Sequence, residues 1–116
     1  MAIAIGTTRQ ALADAYKGLG SFVGVATGNP GTTVTPAFEA SGGSPAYARK
    51  ATSWVSSTGG VVNGSAITLD VPAGTYAWII LASASSGANG VDYADVTDVV
   101  MSAQGQLVVT PTYTQT

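Results

Sequence analysis

The sequence predicts a mainly β protein, a single-domain β-sandwich or small jelly roll over residues 1–116 with one short N-terminal α-helix. Three observations predict it. Short β-prone runs recur from Ser21 onward, separated by turn residues at near-regular intervals. One of them, "SAITLDV", alternates apolar and polar residues with the period of a half-buried strand. Another, "TYAWIILASA", shows no alternation and so needs cover on both faces. At 116 residues the chain has room for one core, hiding about two-thirds of its unfolded surface, and none for a second.

Taken in order, Ile3 and Ile5 alternate with small residues in an extended arm over residues 1–6 that could add to a sheet. Thr7-Thr8-Arg9-Gln10 has the spacing of a capping box, which predicts a helix over residues 8–18. Ala11, Leu12, Ala15, Tyr16 and Leu19 recur on its expected packed face, and Gly18 and Gly20 mark its end. "SFVGVAT" is the first strand, stopped at Asn29-Pro30-Gly31, where proline presets one turn angle and glycine supplies the positive one. Residues 32–45 make a long polar loop, of a kind that is exposed or handed to a partner.

Residues 47–55 form the second run, ended by "SSTGG". In the third, Ile67, Leu69 and Val71 share one face, and Ala66, Thr68 and Asp70 the other. Pro72-Ala73-Gly74 turns the chain into the fourth, a central strand expected to carry Tyr76, Trp78 and Ile80 on one side and Ala77, Ile79 and Leu81 on the other. Residues 91–101 are interrupted by Asp92, Asp95 and Asp98 and read as a solvated loop. The sixth run, residues 107–113, puts Leu107, Val109 and Tyr113 on one face, with Pro111 pushing it to a sheet edge.

Composition narrows the function. The chain is 46% hydrophobic and only 9% charged, against about 25% charged in ordinary soluble domains. A surface so poor in charge suits packing against a neighbour. With a net charge of -2 and only Arg9, Lys17, Arg49 and Lys50 as basic residues, no stripe exists to neutralise phosphates, so nucleic acid is not an expected partner. Histidine and cysteine are both absent, which removes the usual zinc sites and Ser-His-Asp chemistry. "MAIAIGTTRQ" lacks the basic start and longer apolar stretch of a secretory signal. The apolar run over residues 76–84 is far shorter than the roughly 20 residues of a membrane helix, so no membrane role is expected.

The remaining chemistry is thin. D-x-x-D-x-x-D at Asp92, Asp95 and Asp98 is the one acidic cluster, but carboxylates three apart on an extended strand face opposite ways, so no metal site is expected. Asp14, Glu39 and Asp70 are scattered and fix no pair at the separation glycoside hydrolysis needs. Serines and threonines without a base are only hydroxyls. We therefore expect no catalytic residue and no cofactor. Trp54 and Trp78 lie in apolar runs where core packing is the default, although an exposed aromatic platform would suit a glycan-binding β-sandwich module. Asn63-Gly64-Ser65 fits a glycosylation tripeptide without a signal peptide to accompany it. Arg49 and Lys50, adjacent on a strand, point to opposite faces, so one of them could be buried or paired; Arg49 suits bidentate contact at an interface and a plain surface pair equally.

The order of these features resembles a family of small bacteriophage virion proteins, labelled tail fibre or minor structural proteins, some of them similar to head decoration proteins. Tyr47-Ala48-Arg49 and the Val71-Pro72-Ala73-Gly74-Thr75 turn entering an apolar strand carry the resemblance most closely. The long insertion at residues 32–45 departs from the pattern. The resemblance implies a capsid decoration protein that binds and stabilises the outer shell, with a minor tail or tail-fibre component as the alternative. It implies a place in the virion after synthesis in the host cytoplasm, with the major capsid protein and copies of itself, as a dimer or trimer, for partners. Ile3, Ile5, Phe38 and Arg49 are the expected contact residues.

Overall fold

In the computed structural model, which describes residues 2–116, a helix α1 (Gly6–Lys17) leads into β1 (Phe22–Ala26), β2 (Lys50–Ala51), β3 (Val55–Ser56) and β4 (Val61–Asn63). β5 (Ile67–Val71), β6 (Gly74–Ala82), β7 (Gly90–Met101), β8 (Gly105–Val109) and β9 (Thr112–Thr114) follow. Met1, the first residue of the expected arm, lies outside the described residues. All pairings are antiparallel, in a four-stranded sheet ordered β2-β1-β6-β7, a three-stranded sheet β3-β4-β9 and a two-stranded sheet β5-β8. The molecule is elongated, 46 × 25 × 24 Å.

The alternation of β5 builds the main core. Ile67, Leu69 and Val71 are buried and, with Leu107 and Val109 of β8, pack against Val23 and Val25 of β1 and Tyr76, Ile79 and Leu81 of β6. Two sheets meeting through their apolar faces make the sandwich. β6 lies between β1 and β7, and its other face carries Ile80 and Ala82 in a smaller cluster with Ala26, Phe22, Trp78 and Tyr93. The unbroken apolar run is thus explained by burial on both sides.

Tyr76 does not share a face with Trp78 and Ile80 as alternation predicts. Tyr76 is opposite Val99 whereas Trp78 is opposite Asp95, so four steps along β7 match two along β6, and the register shifts. This bulge keeps Tyr76 in the main core beside Ile79 and Leu81. Its hydroxyl donates to the Pro72 carbonyl at 2.7 Å and closes the turn that starts the strand.

Three expected elements differ. Residues 47–55 break into β2 and β3, which belong to different sheets. The break falls at Thr52, which is buried; its hydroxyl donates to the Ser65 carbonyl at 2.7 Å and its amide to the Ser21 carbonyl at 2.8 Å, outside either ladder. Residues 107–113 break at Pro111, which has no N–H for a ladder, into β8 and β9 of separate sheets. Residues 91–101 are not a loop: they lie within β7, the longest strand, whose aspartates stand at a solvent-facing sheet edge where charge costs little.

The helix starts at Gly6, two residues before expectation, with Ile5 as its cap residue and no capping side chain. Gln10 is used elsewhere. Its carbonyl accepts the Gly60 and Val61 amides at 3.0 and 3.1 Å while its amide donates to the Val61 carbonyl at 3.1 Å, docking α1 on β4. The inward face is therefore Gln10, Ala13, Tyr16 and Lys17, with Ala13 fully buried, and the expected face of Ala11, Leu12, Ala15 and Leu19 is exposed apart from the half-buried Tyr16. Docking also fixes Gly60, whose φ is +108° and where an added Cβ would stand 2.7 Å from the Gln115 carbonyl oxygen. Gly60→Ala is expected to cost about 1–3 kcal/mol in urea denaturation, and wild-type stability would show that this turn is not strained.

Candidate functional site

β7 is the outer strand of the four-stranded sheet, and β8 and β9 are outer strands of the other two. Between these free edges opens a groove of about 520 Å³ that reaches the core residues Val23, Val25, Ile79 and Leu81. Val96 and Val99 form the β7 wall, and Leu107, Val109 and Tyr113 the wall opposite. Val108 at its rim is 69% exposed, and Val100, further along β7, is 73% exposed. Core side chains at its floor and the exposed Val96, Val99 and Val108 above them are gathered where two unpaired edges meet. A groove of this size falls within the range of binding sites.

Tyr16 lines the groove from the helix. Its ring stacks on Tyr113 with centroids 3.6 Å apart and planes 9° from parallel, meets Trp54 edge-on at 6.4 Å, and its hydroxyl donates to Asp92 at 2.8 Å. One side chain so ties α1 to β9 and β7. Burial, then the hydrogen bond to Asp92, push its phenol well above the ordinary tyrosine range. Trp54 donates its indole N–H to the Gly20 carbonyl at 2.9 Å and is a structural contact. Trp78 is half-buried and lines both this groove and a second recess of about 470 Å³, shared with Asn29, Thr33 and Tyr93.

Arg49 lies inside the chain. Its side chain is 2% exposed and pairs with Glu39 through Nε and Nη2, both at 2.8 Å. Nη1 donates to the Ala84 carbonyl at 3.1 Å and Asn89 Oδ1 at 2.7 Å, and Nη2 to the Gly87 carbonyl at 3.0 Å. All five guanidinium donors are thereby occupied. The bidentate contact expected across an interface instead joins the long loop to the β6–β7 loop of the same chain. The Glu39 carboxylate also accepts the Tyr47 hydroxyl at 2.7 Å, and that hydroxyl takes the Val25 amide at 3.2 Å. The cluster sits above Gly24, where an added Cβ would lie 2.1 Å from the Tyr47 oxygen, so only glycine leaves room for it.

The other expected contact residues stand apart from one another. Ile3 is half-buried and its carbonyl accepts from Arg9, which also donates to the Gly59 carbonyl at 2.8 Å; Ile5 is exposed. Neither pairs with a strand of the same chain among the described residues. Phe38 is 65% exposed and holds φ at +60°, a conformation that costs a non-glycine residue about 1–2 kcal/mol. Its ring lies over Gly28. Asp92 is opposite Leu81 and Asp95 opposite Trp78, on opposite faces of β7, and no three acidic side chains converge on a metal position among the described residues. No helix among them is long and apolar enough to cross a membrane.

Sequence reasoning missed the groove and the Glu39 and Asn89 partners of Arg49. Glu39 is one of six acidic residues, and both partners lie in irregular loops, so no sequence signal singled them out.

The ionisable groups set the pH profile of stability. Burial raises the phenols of Tyr16, Tyr47, Tyr76 and Tyr93 above their ordinary value. The native state then holds these protons more tightly than the unfolded chain, so their stability is present below about pH 10 and lost as pH rises beyond it. Asp14 shifts the other way, held low by the Ser56 hydroxyl and then by Gln10, and its share is lost as pH falls below the ordinary carboxylate value. With no histidine or cysteine, melting temperature is expected to be flat from about pH 5 to 9 and to fall above 10. A step centred between pH 6 and 8 would contradict this.

No protein-family model, no curated protein and no solved structure gives a significant match to this chain.

Proposed function

We propose that the chain is a non-catalytic structural protein of a bacteriophage particle, a capsid decoration protein that sits on the outer shell against the major capsid protein and copies of itself. The observation that carries this reading is the groove flanked by free edges of β7 and β8, with Val100 and Val108 turned to solvent. A chain that works alone scatters its surface apolar groups. This one, with 9% charged residues, also leaves Leu12, Leu19 and Phe38 exposed. Binding an assembled lattice but not its dissociated subunit stabilises the lattice by mass action, and weak contacts suffice when symmetry repeats them.

Co-sedimentation of the purified chain with assembled shells and with dissociated shell subunits tests the reading. Retention by shells alone, with a rise in shell melting temperature, is expected; equal behaviour with both, or no retention, would contradict it. One observation favours a glycan-binding reading instead: half-buried Trp78 beside Tyr93 in a recess rimmed by Asn29 and Thr33. Tryptophan emission that shifts with sugar and is silenced by Trp78→Phe would support that second reading.

A further inference from the structure

We propose that the free edge of β7 and the groove beneath it take up one extended segment of a partner protein in which apolar side chains alternate with lysine or arginine. The inference rests on the shell-binding reading for its biological setting and names the partner chemistry of that docking face. β7 has twelve residues and spans about 40 Å, nearly the long axis of the molecule; beyond Gly90, whose amide donates to the Val34 carbonyl at 2.8 Å, no strand of the described chain pairs with its outer edge. Such an edge is a template for strand addition, in which backbone hydrogen bonds supply affinity and alternate side chains enter pockets. The groove offers those pockets, walled by Val96 and Val99 on one side and Leu107 and Val109 on the other.

Charge selects the occupant. Edge strands are commonly protected by charge, proline or bulges, and the charges that β7 carries are all acidic: Asp92, Asp95 and Asp98. Asp92 is engaged by Tyr16, and Asp95 and Asp98 stand exposed. None of the four basic residues falls after Lys50, whereas Asp70 and these three aspartates do, so the half of the chain that builds the groove is acidic throughout. Two copies paired through β7 would bring six carboxylates onto one pair of strands, shared between its two faces, and like charges across a ladder repel. The same carboxylates attract a basic strand, so one device excludes the copy and admits the partner. Contacts between copies would then use other surfaces.

The test titrates the full chain with three nine-residue peptides: valine alternating with lysine, valine alternating with glutamate, and the lysine peptide with a central proline. Tryptophan emission reports from Trp78 in the groove, and amide hydrogen exchange reports on β7. The lysine peptide is expected to bind saturably, weaken with salt and slow exchange along β7, while the other two fail. Asp95→Asn with Asp98→Asn should weaken it roughly two- to thirty-fold at unchanged melting temperature. Asp95→Lys with Asp98→Lys should transfer the preference to the glutamate peptide. Equal binding of the lysine and glutamate peptides, no protection along β7, or a dimer whose β7 amides are protected without peptide would each overturn the proposal. Because these readings come from the isolated chain, their failure leaves the chain's presence in particles as a separate result.

Discussion

Arg49→Ala is expected to destabilise the fold by about 2–4 kcal/mol, somewhat below the cost of breaking a fully buried ion pair because the Glu39 side chain is 20% exposed. The loss is large because the guanidinium holds two loops at once. Without it Glu39 keeps its charge with only the Tyr47 hydroxyl as a side-chain partner, and the Ala84 and Gly87 carbonyls lose their donor. Arg49→Lys retains the charge but not the fork, so it should recover only a minor part. Urea denaturation of Arg49→Ala, Glu39→Ala and the double variant closes a cycle that isolates the pair. Additive single effects would show that the two side chains act independently, against the geometry described here.

The second large effect is expected from Leu69→Ala. Leu69 is fully buried at the middle of β5, opposite Leu107, and belongs to the cluster shared by both sheets. Truncation leaves a cavity that a close-packed interior fills only in part, at about 3–5 kcal/mol. Val108→Ala, on the same ladder but exposed, should change stability by less than about 0.5 kcal/mol. Equal losses at the two positions, read from denaturation midpoints, would mean that the sandwich core is not where β5 and β8 place it.

These two residues differ in how far the sequence reveals them. Leu69 is legible because a half-buried strand must alternate, and Ile67, Leu69 and Val71 do so without interruption. β6 is legible for the opposite reason, since a continuous apolar run admits only two-sided burial. Arg49 is legible as a residue with special contacts but not as to which, because Glu39 and Asn89 lie in irregular loops whose path no local pattern encodes. The helix shows a further limit: its Ala11, Leu12, Ala15 and Leu19 stripe has the right period, yet docking is decided by Gln10 reaching β4 and Tyr16 stacking on Tyr113. Tertiary contacts overrode hydropathy there.

β7 was hidden by its own aspartates, which read as a loop because strands are depleted in them. At a free edge the depletion does not apply, as carboxylates there remain hydrated. The misread segment therefore coincides with the candidate site. Places where local patterns and the fold disagree are where functional constraint is expected to act.

Copy number in phage particles purified from the source of this chain, by quantitative mass spectrometry against the major shell protein, tests the proposed role most directly. Hundreds of copies per particle is the predicted result, as a decoration protein repeats with the shell lattice. A handful of copies would assign the chain to the tail or its fibres, and none at all would contradict a virion role.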